Sequence, residues 1–240
     1  MRPFNEDFHR VWSFPLDGGD LTLLAVADGM GGAAAGEVAS KLATEVLDES
    51  FSRYVEELRA RRPVVGVGSL IDKAMRLANR RVYAAAIKQP NRRGMGSTLT
   101  CVAILKGRAY LGHVGDSRAF LVRGSKIYQL TKDHSWVEEQ LEKGLLNEEE
   151  AESHEWRNLI TRVLGTRPQV APDVIELAIE PGDVLVLSTD GLHGLVKPEE
   201  ILAEIRSNSD RQLNVEMLIA LANERGGPDN ITTVVFGVEP

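Results

Sequence analysis

Four aspartates occupy the same kind of place in the chain. Asp28 closes the apolar run Leu23-Leu24-Ala25-Val26-Ala27, Asp116 follows Leu111 to Gly115, Asp190 follows Val184 to Thr189, and Asp229 precedes the apolar run from Ile231. Glu6 and Asp7 add a fifth acidic point near the N-terminus. One aspartate beside a glycine is ordinary turn chemistry. Repetition changes the reading, because side chains at the ends of neighbouring strands converge, and carboxylates that converge without a cation must repel or take up protons. A divalent ion resolves that conflict. Oxygen donors with no cysteine cluster and no closely spaced histidine pair favour Mg²⁺ or Mn²⁺ over zinc. The five histidines, His9, His113, His134, His154 and His193, form no H-E-x-x-H arrangement. Of these, His113 and His134 flank the acidic motifs and are candidates to line a cleft.

Other chemistries lack their residues. Gly29-Met30-Gly31-Gly32-Ala33-Ala34 matches the dinucleotide pattern G-x-G-x-x-A. Asp28 would repel a pyrophosphate there, and the helix that follows runs on where a second parallel strand should end in a ribose-binding acid. The Gly-Lys-Ser/Thr end of a P-loop is absent, and so is a G-x-S-x-G elbow, which removes Ser97 and Ser117 as acyl-transfer nucleophiles.

The elements that must carry the aspartates can be read from periodicity. Val11 to Phe14 and Leu21 to Ala27 flank Asp17-Gly18-Gly19 as a β-hairpin. Val38, Leu42, Val46, Phe51, Tyr54, Val55 and Leu58 then mark a long amphipathic helix, and Leu70, Ala74, Ala78, Val82 and Ala86 a second. Thr98 to Leu105, Ala109 to Val114, Ala119 to Val122 and Ile127 to Leu130 predict an antiparallel meander. From Ser135 to about Gly165 the chain is acidic and polar, which predicts a helical insertion outside the core. Strands at Val174 to Ile179 and Val184 to Ser188, helices after Pro198 and from Val215 to Glu224, and a strand from Ile231 to Val238 complete the chain. Strand runs and helix runs are segregated, so the expected class is α+β, two antiparallel sheets with helices outside.

Composition bounds the partners. The 240 residues are 43% hydrophobic and 26% charged, a globular balance. Acids exceed bases by 35 to 28, and aromatics are 5%, which argues against a nucleic-acid surface. Cys101 is the one cysteine, so no disulfide framework is expected. No apolar run reaches the roughly 18 residues of a membrane span, and the N-terminus has no signal-peptide core, so a cytoplasmic protein is expected.

Taken in order, Arg2-Pro3-Phe4-Asn5-Glu6-Asp7, Ala27-Asp28-Gly29-Met30-Gly31-Gly32, Gly96-Ser97-Thr98, Val114-Gly115-Asp116-Ser117-Arg118, Asp133-His134-Ser135, Thr189-Asp190-Gly191-Leu192 and Asp229-Asn230-Ile231-Thr232 resemble the motifs of the metal-dependent type 2C (PPM) Ser/Thr protein phosphatases, bacterial branch. The resemblance runs from residue 2 to residue 238. It implies one catalytic domain over 1–240, a sandwich of two antiparallel sheets flanked by helix pairs, with a helical flap at 136–165 beside the metal site. Carried over by motif, it implies Asp28, Asp190 and Asp229 as direct ligands and the Gly29 carbonyl on one ion. Asp7 would touch metal, with Glu6 and Asn230 in the surrounding shell. Asp116 would join Asp190 at a third, weaker position beside a core of two Mn²⁺ or Mg²⁺.

The same resemblance implies that Arg2 binds phosphate, for which a planar guanidinium is suited, and that Arg2, Asp28 and Asp190 serve catalysis. A hydroxide bridging the two ions would attack a phosphoserine or phosphothreonine in a protein substrate, opposing a Ser/Thr kinase, with no covalent intermediate. A monomer is expected. Arg118 is expected to pair with nearby carboxylates, and Gly96-Ser97-Thr98 to pack a strand start. Met30 stands where animal members carry a histidine proposed as general acid, so the resemblance leaves the leaving-group acid unidentified. The alternative is a catalytically silent binding module, and retention of Asp28, Asp190 and Asp229 argues against it.

Overall fold

The computed structural model describes residues 4–32 and 34–239, with Ala34 by its backbone alone. Among the described residues ten strands form two sheets. β1 (Asp7–Phe14), β2 (Leu21–Met30), β4 (Leu99–Leu105), β5 (Arg108–Val114) and β8 (Asp173–Ala178) pair in that order, with the two-residue β3 (Gly96–Ser97) on the end of β2. The second sheet has the order β10 (Thr233–Gly237), β9 (Val184–Ser188), β6 (Arg118–Arg123), β7 (Lys126–Gln129). All pairings are antiparallel.

Side-chain alternation decides what lies on each face. Along β2, Leu21, Leu23, Ala25 and Ala27 pack into one core, while Leu24 and Val26 point into another. The first core lies under α1 (Ala34–Arg59) and α2 (Val67–Lys88), which bury Ala39, Ala43, Val46, Leu47, Phe51, Ile71, Met75, Ala78 and Val82 at helical spacing. The second lies between the sheets, where Leu24, Val26, Val102 and Leu111 meet Ala119, Leu121, Leu185 and Leu187. A third core, with Phe120, Val122, Val184 and Val186, is covered by α6 (Pro198–Ser207) and α7 (Arg211–Glu224). The result is four layers, helix pair, sheet, sheet, helix pair, and the expected α+β sandwich is correct.

Two expectations of the sequence are corrected. The predicted meander is not continuous: β4 pairs with β5 and β6 with β7, but β5 and β6 lie in different sheets. The chain crosses between layers at Gly115-Asp116. A turn signal tells that the chain reverses, not which sheet it enters, so the crossover was invisible to periodicity. The segment from Ser135 to Gly165 holds α3 (Trp136–Glu142) and α4 (Glu148–Ser153), whose one buried side chain is Ala151, but it is not wholly outside the core as expected, since Leu164 at its end packs into the first core.

Candidate metal centre

The acids come together through three separate devices. Register supplies the first: Asp7 and Asp28 are direct cross-strand partners on β1 and β2, so their side chains share a face, with Cβ atoms about 5 Å apart by sheet geometry. Asp28 has the same parity as Leu24 and Val26, so that face looks into the gap between the sheets. Pairing of β9 with β10 supplies the second, because Ser188 opposite Thr233 brings Asp190, just past one strand, to the same end as Asp229, just before the other. The crossover at Asp116 supplies the third. Asp190 itself opens the short helix α5 (Asp190–His193).

Backbone and hydroxyl contacts lock these positions. Thr98 Oγ1 accepts the Asp28 N–H at 2.8 Å and sits 2.8 Å from Ser117 Oγ. Thr189 Oγ1 donates to Asp7 Oδ2 at 2.8 Å and accepts the Thr232 N–H at 3.1 Å. Asn230 straps the N-terminal segment down, accepting the Glu6 N–H at 2.9 Å and donating to Phe4 O at 3.1 Å. Gly29 donates its N–H to Glu6 O. A Cβ on Gly29 would fall 2.1 Å from Gly36 O and 2.6 Å from Glu6 O, so only glycine lets the start of α1 approach this strand.

The electrostatics are those of unneutralised acids. Burial first, then the charges of Asp7, Asp190, Asp116 and Asp229, push Asp28 up to about 10. Burial and then Asp190 and Asp133 push Asp116 up to about 7. Asp7 rises to about 6, mainly by burial and with help from Asp190 and Asp229, against hydrogen bonds from Thr232 and Thr189 that pull it down. Asp190 is common to all three shifts, so acids from separate strand ends act on one another. Among the described residues no three His, Cys, Asp or Glu side chains close around one point, so the acids share a neighbourhood rather than form a ready-made cage. A set of carboxylate oxygens, of which those of Asp7, Asp28 and Asp116 are made harder to ionise by burial and by neighbouring acids, fits a hard divalent cation.

Residues 3–222 match the family model for protein phosphatase 2C. The chain belongs to the protein phosphatase 2C family. It is 35% identical over 218 residues to the protein phosphatase PhpP of Streptococcus pneumoniae, across 90% of this chain and 86% of that protein. It is 38% identical over 216 residues to the serine/threonine protein phosphatase PstP of Mycobacterium tuberculosis, across 90% of this chain and 40% of PstP. The crystal structure of M. tuberculosis PstP/Ppp superposes with a TM-score of 0.86 at 36% identity, over 100% of this chain and 94% of that one. Stp1 of Staphylococcus aureus gives 0.88 at 31% identity, over 100% and 91%. A further structure holds the PstP catalytic domain with two manganese ions; it superposes at 0.83 with 35% identity, over 100% and 94%. The family resemblance and the bacterial branch read from the motifs are therefore correct, and serine/threonine protein phosphatase activity and metal dependence belong to this family.

Of the other residues singled out, Arg2 lies outside the described residues. Arg118 makes a bidentate pair with Asp133, with Nη2 2.7 Å from Oδ2. His113 and His134 do not line a cleft: both are buried, at 1% and 6% exposure. Thr98, expected only to pack a strand start, and Thr189 and Thr232, for which the sequence suggests no role, hold the acids in place; a lone threonine at a strand end carries no signal of what its hydroxyl meets. No helix among the described residues is long and apolar enough to cross a membrane.

Proposed function

We propose that this protein hydrolyses phosphoserine and phosphothreonine in protein substrates with the help of divalent cations, opposing a bacterial Ser/Thr protein kinase. The observation that carries this reading is the convergence of Asp7, opposite Asp28 in register, with Asp190 and Asp229 at the paired ends of β9 and β10, where burial first and neighbouring acids second raise Asp7, Asp28 and Asp116. Asp28, Asp190, Asp229 and Asp7 would hold two Mn²⁺ or Mg²⁺, with the Gly29 carbonyl as a neutral donor, Glu6 and Asn230 around them, and Asp116 with Asp190 at a third position. Bound cations of this kind supply Lewis acidity, polarising phosphoryl oxygens and bringing the pKa of a held water toward neutrality.

The chain's own part is preorganisation. Threonine hydroxyls on Asp7 and on the Asp28 backbone, with the strand pairing, bring the acids into one neighbourhood before any ligand arrives, so only their side chains are left to close around a cation. Arg2 would bind the phosphate. Met30 is partly exposed and holds no proton to donate, so the leaving-group proton comes from elsewhere than this position. The unit that acts is one catalytic domain, monomeric, with 136–165 as a flap against which the phosphoprotein lies.

The deciding experiment measures phosphate release from a phosphothreonine peptide with Mn²⁺ and with chelator, alongside thermal unfolding in both. Mn²⁺-dependent turnover with a rise in Tm on Mn²⁺ addition is expected. Turnover at the same rate in chelator, or no change in Tm, overturns the reading.

A further inference from the structure

The Gly115-Asp116 turn, where the chain leaves one sheet for the other, is gripped by a histidine, His134, that the metal reading leaves unused. Gly115 has φ +117°, and a Cβ there would lie 2.6 Å from Thr98 Cβ. The turn is thus pressed against the residue whose hydroxyl receives the Asp28 N–H. His134 forms a reciprocal pair with it: the Gly115 N–H donates to His134 Nδ1 at 3.0 Å, and the His134 N–H donates to Gly115 O at 2.7 Å.

The first of these bonds sets the tautomer. An Nδ1 that accepts carries no proton, so the ring proton sits on Nε2. Nε2 then donates to Asp173 Oδ2 at 3.1 Å. Arg162 Nη1 holds the same carboxylate through Oδ1 at 2.8 Å and donates to Ala171 O at 3.1 Å. Arg162 Nη1 also lies 2.8 Å from Nε2; with the proton on Nε2 that contact joins two donors, and the carboxylate and carbonyl are the guanidinium's acceptors. His113 packs against His134 with ring centroids 4.7 Å apart, and its Nδ1 lies 2.9 Å from Thr100 Oγ1. On the far side of the turn, His193 of α5 has its Nδ1 2.9 Å from Ser188 Oγ. The ring that grips the turn is therefore itself held at every polar atom.

We propose that His134 is a positioning residue for the phosphatase reaction: through Nδ1, and buttressed by Asp173 and Arg162, it holds the Gly115-Asp116 turn in the conformation that directs Asp116 to the metal position it shares with Asp190. The inference rests on the reading of Asp116 as a metal ligand. Its outer half also reaches the root of the flap, since the Thr161 N–H donates to His134 O at 2.8 Å.

The two ring nitrogens can be separated by substitution. In His134→Asn the amide stands where Nδ1 was and can accept from Gly115; in His134→Gln it stands where Nε2 was and reaches Asp173 alone. Mn²⁺ binding by calorimetry, and kcat and KM on a phosphothreonine peptide, are measured for the full chain and for His134→Ala, His134→Asn, His134→Gln and Asp116→Ala. Asp116→Ala is expected to lose the weakest Mn²⁺ event. His134→Ala should weaken that event about 10-fold or more and lower kcat with little change in KM, His134→Asn should restore both, and His134→Gln should not. Should His134→Ala fail to fold, the contrast between Asn and Gln decides alone. Asp116→Ala losing the weak site while His134→Ala keeps it, or Gln rescuing as well as Asn, overturns the positioning role. An Asp116→Ala variant with unaltered Mn²⁺ binding overturns the metal reading of Asp116, and the proposal with it.

Discussion

The acidic rim and the segment 136–165 are neighbours, joined by bridges from Ser97 to Leu164 and from Ser135 to Ile160, yet they are built by opposite rules. In the rim, every acid is placed by a strand end, a cross-strand partner or a buried hydroxyl, and the backbones approach too closely at Gly29 for any other residue. In the segment, α3 and α4 are seven and six residues long, while Leu145 and Trp156 are 66% and 47% exposed. Helices so short do not persist on their own in water. Their order comes from end caps, from Ser135 accepting the Glu138 N–H and the Asn147–Glu150 capping box, and from Trp136, His154 and Trp156 packed ring to ring. The acids are thus mounted on the cooperative core, and the segment proposed to meet a substrate on short helices that bury little of their own.

Substitutions at the rim should have the largest effect. Asp190→Ala and Asp28→Ala should each cut Mn²⁺-dependent turnover by on the order of 10³-fold on both aryl phosphate and phosphopeptide. The metal-free variants should unfold at a temperature no lower than the parent, because each removes a half-buried acid from among like charges. A loss of activity accompanied by a large drop in Tm would mean that these acids serve folding, and the rim would no longer differ in kind from the rest of the core.

A second effect sharpens the same contrast through pH. His113 is buried at the rim's edge, and burial first, then His134, push it down to about 3. A histidine whose folded value lies below its unfolded one, near 6.5, binds fewer protons when folded. The stability it contributes is full above about pH 6.5 and is lost as the pH falls toward 3. Urea unfolding of the parent and of His113→Asn at pH 7, 5 and 4 should show their stability difference shrinking with acid, by on the order of 2 to 3 kcal/mol from pH 7 to 4. A difference that stays constant with pH would mean that His113 titrates normally and that the rim is open to water.

These tests bear on features of unequal legibility. The hairpin, both long helices and the strand Val184–Ser188 could be read from apolar spacing, because each buries a face at its own period. The acids could be found because glycine-flanked aspartates recur at strand ends. Their convergence could not, since it depends on Asp7 facing Asp28 in register and on the chain changing sheets at Asp116, and neither follows from local pattern. α5 was missed for the same reason: four residues from Asp190 are too few to show a period. The threonine hydroxyls and the histidine contacts belong to a third kind of feature, since a polar residue inside an apolar run announces burial but not its partner.

The smallest expected effect falls on the flap. Asn147 Oδ1 accepts the Glu150 N–H at 2.9 Å and Glu150 Oε2 accepts the Asn147 N–H at 2.9 Å, which satisfies two donors at the start of α4. Asn147→Ala removes the first bond and should cost about 1 kcal/mol. Since α4 buries Ala151 alone, that cost should stay local: amide exchange in residues 148–153 should quicken about fivefold, while the urea midpoint of the whole chain and the aryl-phosphate rate stay at their parent values. A phosphopeptide that lies against the flap should then show a modest rise in KM at unchanged kcat, because binding must first restore the helix. If instead the global midpoint falls by the full amount, the flap unfolds with the core, and the division between a rigid rim and an adaptable flap does not exist.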